Sequence, residues 1–181
     1  MSERMKSIVS IAIAIAVPLA AGGIGTIATA QAIPTWYRGI RKPSWTPPSW
    51  VFGPVWTALY TLMGTAAWLV WKTGWKKRSV RTGIGLFGTQ LFLNAVWSPI
   101  FFGRRAFGAA LADLALLWGA ILATAIQFYR IRPLAGLLML PYLLWVSYAS
   151  TLNAGIWWLN RTRRAEELTS GEAPLREFSS P

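Results

Sequence analysis

Apolar stretches of about 20 residues recur along this chain with only short charged runs between them, and that pattern restricts the fold more than any other feature. A helix rises about 1.5 Å per residue, so about 20 residues cross the roughly 30 Å hydrocarbon core of a bilayer. Five such segments can be read: 7–30, 50–71, 83–102, 107–129 and 134–159. They are apolar all round, whereas the helix of a soluble core has one polar face. Only 13% of the 181 residues are charged, about half the share in a soluble domain. The expected fold is an all-α membrane protein, a five-transmembrane-helix bundle with a proline- and tryptophan-rich first loop. Residues 1–164 form its single domain. The segment 165–181 is polar, carries Glu166, Glu167, Glu172 and Glu177, and is expected to be disordered.

The first segment has a rival reading. Arg4 and Lys6 precede it, and Ala28-Thr29-Ala30 resembles a signal-peptide cleavage site. Its apolar run is well beyond the usual 7–15 residues of a signal peptide, which favours a retained span. Arg104 and Arg105 separate the third and fourth segments, and Arg130-Ile131-Arg132-Pro133 the fourth and fifth, so these neighbours should be antiparallel. Pro133 suits a first helical turn.

Composition removes whole classes of chemistry. With no His and no Cys, the chain lacks zinc and iron–sulfur sites, thiol nucleophiles, disulfides and any triad that uses imidazole as its base. No metal site and no obligatory cofactor is expected. The net charge of +12 sits at the ends of apolar segments, where anionic headgroups account for it, so membrane lipid is the expected partner and nucleic acid is not. Orientation is undetermined. Arg4, Lys6, Lys72, Lys76, Lys77, Arg78, Arg81, Arg130 and Arg132 fall on one side, and Arg38, Arg41, Lys42, Arg104, Arg105, Arg161, Arg163 and Arg164 on the other: nine against eight.

The long connection 31–49 contains Pro34, Pro43, Pro47 and Pro48 with Trp36, Tyr37 and Trp45, a composition that reads as an ordered cap. In the third segment Gln90, Asn94, Trp97 and Phe101 share one helical face. Two amides above an indole could anchor a ligand carbonyl or carboxylate, or could bond neighbouring helices together. Phe52, Trp56, Tyr60 and Met63 repeat the pattern in the second segment, and Trp145, Tyr148 or Ala149, and Leu152 in the fifth. One aromatic stripe is usually packing; three beneath an aromatic loop point to a pocket for a flat ligand. Asp113, near the start of the fourth segment, reads either as a coupling group for transport or as a partner of Arg104, Arg105 or a helix N-terminus.

Certain of these residues stand in a recognisable order. Trp36-Tyr37, the run 42–48 (KPSWTPP), the run 51–60 (VFGPVWTALY) with Met63-Gly64, the run 90–98 (QLFLNAVWS), Asp113, and 141–145 (PYLLW) through Leu152-Asn153 closely resemble the translocator protein family. That family is also called the tryptophan-rich sensory proteins or peripheral-type benzodiazepine receptors. The likeness covers about Pro18 to Trp158. It implies a five-helix bundle, usually a homodimer, binding porphyrins such as protoporphyrin IX, sterols in some lineages and benzodiazepine-site drugs in a cavity under the first loop. The matching pocket positions are Tyr37, Pro47, Phe52, Trp56, Tyr60, Asn94, Trp97, Ser98, Trp145 and Ala149. The function it implies is a membrane receptor or sensor linked to tetrapyrrole regulation; a small transporter or a light-dependent porphyrin-degrading protein, then working through Trp56 and Trp145, are the alternatives. The cholesterol motif of the animal proteins is incomplete here: Val146 and Tyr148 are present, but the next basic residue is Arg161.

Overall fold

The structure, a computed structural model, describes residues 2–169. It is helical: α1 (Glu3–Ala32), the short α2 (Trp36–Gly39), α3 (Phe52–Trp71), α4 (Arg78–Ser98), α5 (Phe107–Ile131), the short α6 (Pro133–Leu137) and α7 (Leu140–Thr169). A 3-10 turn, Ser49–Val51, precedes α3, and a π-helical turn, Pro99–Gly103, follows α4. Helices α4 and α5, α1 and α3, and α5 and α7 pack side by side.

Four stretches are long and apolar enough to cross a membrane among the described residues: Glu3–Gly23, Arg78–Gly103, Phe107–Ile131 and Pro133–Arg161. The protein is therefore a multi-pass integral membrane protein. The remaining expected span, 50–71, folds as α3, which has the length at 20 residues. Trp56, Trp68, Trp71, Tyr60, Thr57, Thr61 and Thr65 dilute its hydropathy, so that α3 makes a fifth crossing is our proposal.

Proline explains the departures from simple spans. The segment read as 134–159 is broken after Leu137 and resumes at Leu140. Pro141 has no N–H for the Leu137 carbonyl four residues earlier, and its ring crowds that carbonyl. Pro99 likewise cannot bond Ala95, and the chain widens until the Arg104 N–H bonds the Pro99 carbonyl five residues back at 2.9 Å. Arg105, in the left-handed region at φ 52°, then turns the chain into α5. Pro18 lies inside α1 and leaves the Ala14 carbonyl without its helical donor. That carbonyl lies where α1 meets Gly64 of α3. A Cβ on Gly64 would sit 2.6 Å from both the Ala14 oxygen and the Ile15 Cα, so only glycine permits this approach.

The core is filled by Met63, Val70, Phe87, Leu117, Ile121, Phe128, Met139, Tyr142 and Val146, drawn from α3, α4, α5, α7 and the residue preceding α7. The tail expected from 165 falls partly on α7, which continues to Thr169; residues 170–181 lie outside the described residues.

Candidate functional site

The connection after α1 is an ordered cap held to α7 at three levels. The Tyr148 hydroxyl donates to the Trp45 carbonyl at 2.7 Å. Pro43 packs against Gly155, where a Cβ would strike its ring. The Asn160 amide accepts from the Arg41 N–H at 3.1 Å and donates to the Arg41 carbonyl at 2.9 Å. On its inner side Trp36, Tyr37 and Ile40 pack on Phe101, Phe102 and Phe107 around the π turn. The Lys42 ammonium lies 4.7 Å from the centroid of the Tyr37 ring and donates to the Arg38 carbonyl at 3.3 Å. Burial pushes the Tyr37 phenol above its ordinary range, so it stays a neutral donor at any physiological pH.

Beneath the cap lies a cavity of about 450 Å³, inside the range typical of small-molecule sites, about 300–1,000 Å³. Tyr37, Phe52, Trp56, Tyr60, Asn94, Trp97, Ser98, Trp145 and Ala149 line it. Pro47, named with them from the sequence, does not; it sits in the cap beyond Trp45. Helix α3 contributes the aromatic wall: Trp56 stacks on Tyr60 with centroids 5.2 Å apart and meets Trp145 of α7 edge-on at 6.5 Å, and Phe52 closes on Trp145 at 5.9 Å. Trp97 stacks on Phe101 at 5.0 Å on the α4 side.

The first span was expected to border the pocket with the second, third and fifth, but none of its residues was named from the sequence; in α1, Ala21, Gly22, Gly23 and Gly25 line the space. A Cβ on Gly22 would run into the Tyr60 ring, and one on Gly25 would lie 2.9 Å from Ser98 Oγ. A cluster of small residues inside an apolar span was the available signal. Asn153 entered the sequence reading as the end of the stretch that resembles the family. It is 1% exposed, accepts from Trp97 Nε1 at 3.3 Å and donates to the Phe107 carbonyl at 2.8 Å, fixing the indole edge.

The two amides, left open by the sequence between anchoring a ligand and bonding helices, are placed differently by the fold. Asn94 accepts from the Tyr60 hydroxyl at 2.9 Å and donates to the Tyr142 hydroxyl at 2.8 Å, tying α3, α4 and α7 together. It both lines the cavity and bonds helices. Gln90 lies outside the lining, fully buried, with neither amide atom partnered. Asp113 is buried too, but its expected pairing with Arg104 or Arg105 is not made: Arg105 stacks over Trp36 at 5.1 Å, and Asp113 Oδ2 has no partner. Trp118, without an assignable role from sequence, donates to Ser147 at 2.9 Å.

Among the described residues, no charged side chain lines the cavity. A buried unpaired charge is costly in such surroundings, so the interior favours a neutral, flat, largely apolar group with a hydrogen-bonding edge. Arg38, Arg41 and Lys42 belong to the cap and Arg105 stacks on its Trp36, all four outside the lining.

The sequence is similar to that of known proteins along most of its length. A family model described as the TspO/MBR family matches residues 14–159. The chain is 46% identical over 155 residues to "Tryptophan-rich protein TspO" of Chlorobaculum tepidum, covering 86% of this chain and 98% of that protein. It is 49% identical over 124 residues to the human "Translocator protein", covering 67% of this chain and 73% of that one. To "Tryptophan-rich sensory protein" of Cereibacter sphaeroides it is 37% identical over 128 residues, 71% and 78% of the two chains.

Proposed function

The chain belongs to the TspO/MBR family, and on that premise we propose that it is a membrane receptor or sensor that binds a porphyrin of the protoporphyrin IX type in the cavity under its cap. The observation that carries this reading is the aromatic wall: Phe52, Trp56, Tyr60 and Trp145 form a continuous set of ring contacts along one side of an uncharged cavity. A macrocycle is flat and apolar at its centre and stacks on such rings. Its two carboxylates cannot follow it inward without a cation, so they stay at the cap, where Arg38, Arg41 and Lys42 supply charge. The ligand therefore stands with its ring edge inward and its acids at the water-facing side.

Titration of the purified chain with protoporphyrin IX, followed by tryptophan fluorescence, tests the assignment. Trp56→Phe combined with Trp145→Phe should cut both quenching and affinity; unchanged binding in that variant would overturn the site. The homodimer that the resemblance implies belongs to the same reading. Gly85, Gly88 and Phe92 are exposed along one side of α4, and a Cβ on either glycine would meet nothing within 4 Å, which leaves room for a second copy. Light scattering in detergent that gives a monomer mass would remove it.

One observation favours a second reading, coupled transport of the same ligand class: Asp113 is a buried acid without a basic partner, next to cavity-lining Leu114. Reconstituted vesicles decide this. Directional porphyrin flux that Asp113→Asn abolishes would establish coupling, and flux indifferent to that change would exclude it.

A further inference from the structure

At the end of the bundle opposite the cap, a second recess opens between two connections. Helix α3 ends at Trp71, and Gly74, at φ 124°, turns the chain back so that the Lys77 N–H bonds the Gly74 carbonyl at 3.1 Å just before α4 begins. The last turn of α5 packs beside this reversal, and Gln127 Nε2 donates to the Ser79 carbonyl at 3.1 Å, which fixes the two walls relative to each other. The space between them is about 350 Å³ and is lined by Thr73, Lys77, Ser79, Gln127, Arg130 and Ile131.

The lining is that of an anion site. It holds an ammonium and a guanidinium from two different elements and, among the described residues, no carboxylate. Neither cation is engaged elsewhere: among the described residues Lys77 and Arg130 have no ion pair and no aromatic partner, whereas Lys72 lies over Trp68 and Lys6 is paired with Glu3 at 2.8 Å. Asp113 stands at the far end of α5, about 25 Å along its axis from Arg130. Thr73 spends its hydroxyl proton on the Val70 carbonyl at 2.8 Å, so the Ser79 hydroxyl and the second Gln127 amide proton are the neutral donors that remain. The start of α4 adds the positive end of a 21-residue helix beside Ser79. Lys76, Arg78, Arg81 and Arg132 stand within two residues of lining residues in sequence and add positive charge to this end of the bundle without lining the recess.

Depth selects the kind of anion. Trp71 and Trp75, both exposed, mark the level at which indoles sit between headgroups and acyl chains, and Ile131 gives the recess one aliphatic wall. A phosphate joined to an acyl chain meets both surfaces at once. We propose that this recess binds the phosphate of an anionic phospholipid, with Lys77 and Arg130 as charge-assisted donors and Ser79 as a third. A lipid held there bridges the α3–α4 turn to the end of α5, two connections otherwise joined at this level by the Gln127–Ser79 bond. Basic recesses between transmembrane helices are suited to this use.

The full chain in detergent, analysed by native mass spectrometry with phosphatidylglycerol, phosphatidylcholine or inorganic phosphate added, provides the test. Wild type should retain phosphatidylglycerol in preference to phosphatidylcholine. Lys77→Gln with Arg130→Gln should weaken that retention about tenfold more than Lys76→Gln with Arg132→Gln, which removes the same charge from the same end outside the recess. Equal losses in the two variants would mean diffuse attraction and overturn the site. Inorganic phosphate binding as strongly as the lipid, and lost in the recess variant, would assign the cup to a soluble anion and overturn the lipid. If the double variant does not fold, Lys77→Gln, Arg130→Gln and Ser79→Ala singly decide it: weakening in each supports the site, and no change in any of them removes it.

Discussion

The side-chain amide of Asn160 grips the peptide of Arg41 from both sides, accepting from its N–H and donating to its carbonyl across 119 residues of sequence. Two hydrogen bonds of about 1 kcal/mol each hold the cap to α7 at this point. Asn160→Ala should release it. Amide exchange in residues 36–46 should accelerate, and bound porphyrin should dissociate up to about tenfold faster with little change in the association rate. Exchange no faster than in wild type would show that the Pro43 and Tyr148 contacts suffice.

The charge of the ligand should matter at the cap and nowhere else. Arg38→Gln with Lys42→Gln should weaken protoporphyrin IX but leave its dimethyl ester unaffected, and added salt should weaken the diacid alone. Equal losses for acid and ester would place the carboxylates elsewhere.

Asn94 is the centre of a three-helix bond, so its removal strands two buried phenols. Asn94→Ala should lower stability by about 1–3 kcal/mol, read from thermal unfolding in detergent. Tyr60→Phe should cost less, and the double variant should cost less than the sum of the two. Strict additivity would mean that the bond carries no energy.

Glycines that look alike in sequence should behave in opposite ways. Gly64→Ala drives a Cβ into the α1 backbone and should lower the unfolding temperature, at a cost of about 1–3 kcal/mol. Gly119→Ala meets open space on α5 and should be neutral or stabilising by up to about 1 kcal/mol. A Gly64→Ala variant as stable as wild type would mean that α1 is free to move away.

Much of this architecture is written in local patterns. Span lengths, the arginine turns, Pro133 at a helix start and the aromatic stripe of α3 all depend on residues a few positions apart, and periodicity exposes such relations. The unread parts depend on pairs far apart. Asn160 holding Arg41, Asn153 orienting Trp97, and Gly22 giving way to Tyr60 leave no periodic trace, because either partner alone is unremarkable. Pro141 was visible, yet a proline near the start of a long apolar run does not say whether the helix bends or breaks. Asp113 shows the reverse error. Arginines eight and nine residues earlier made a pairing natural, but the π turn and left-handed Arg105 aim the Arg105 guanidinium at Trp36 instead.

The contact between Gly64 and Ala14 has a mechanical consequence. There α1 and α3 touch backbone to backbone, and one turn nearer the cap the Tyr60 ring stands between them beside Gly22. The two helices therefore diverge from a pinned point, like the arms of a pair of tweezers. Their separation can change at the cap end while the opposite end keeps its geometry. On the proposed reading, a ligand that spreads these helices would displace them at the face of the membrane that carries the cap.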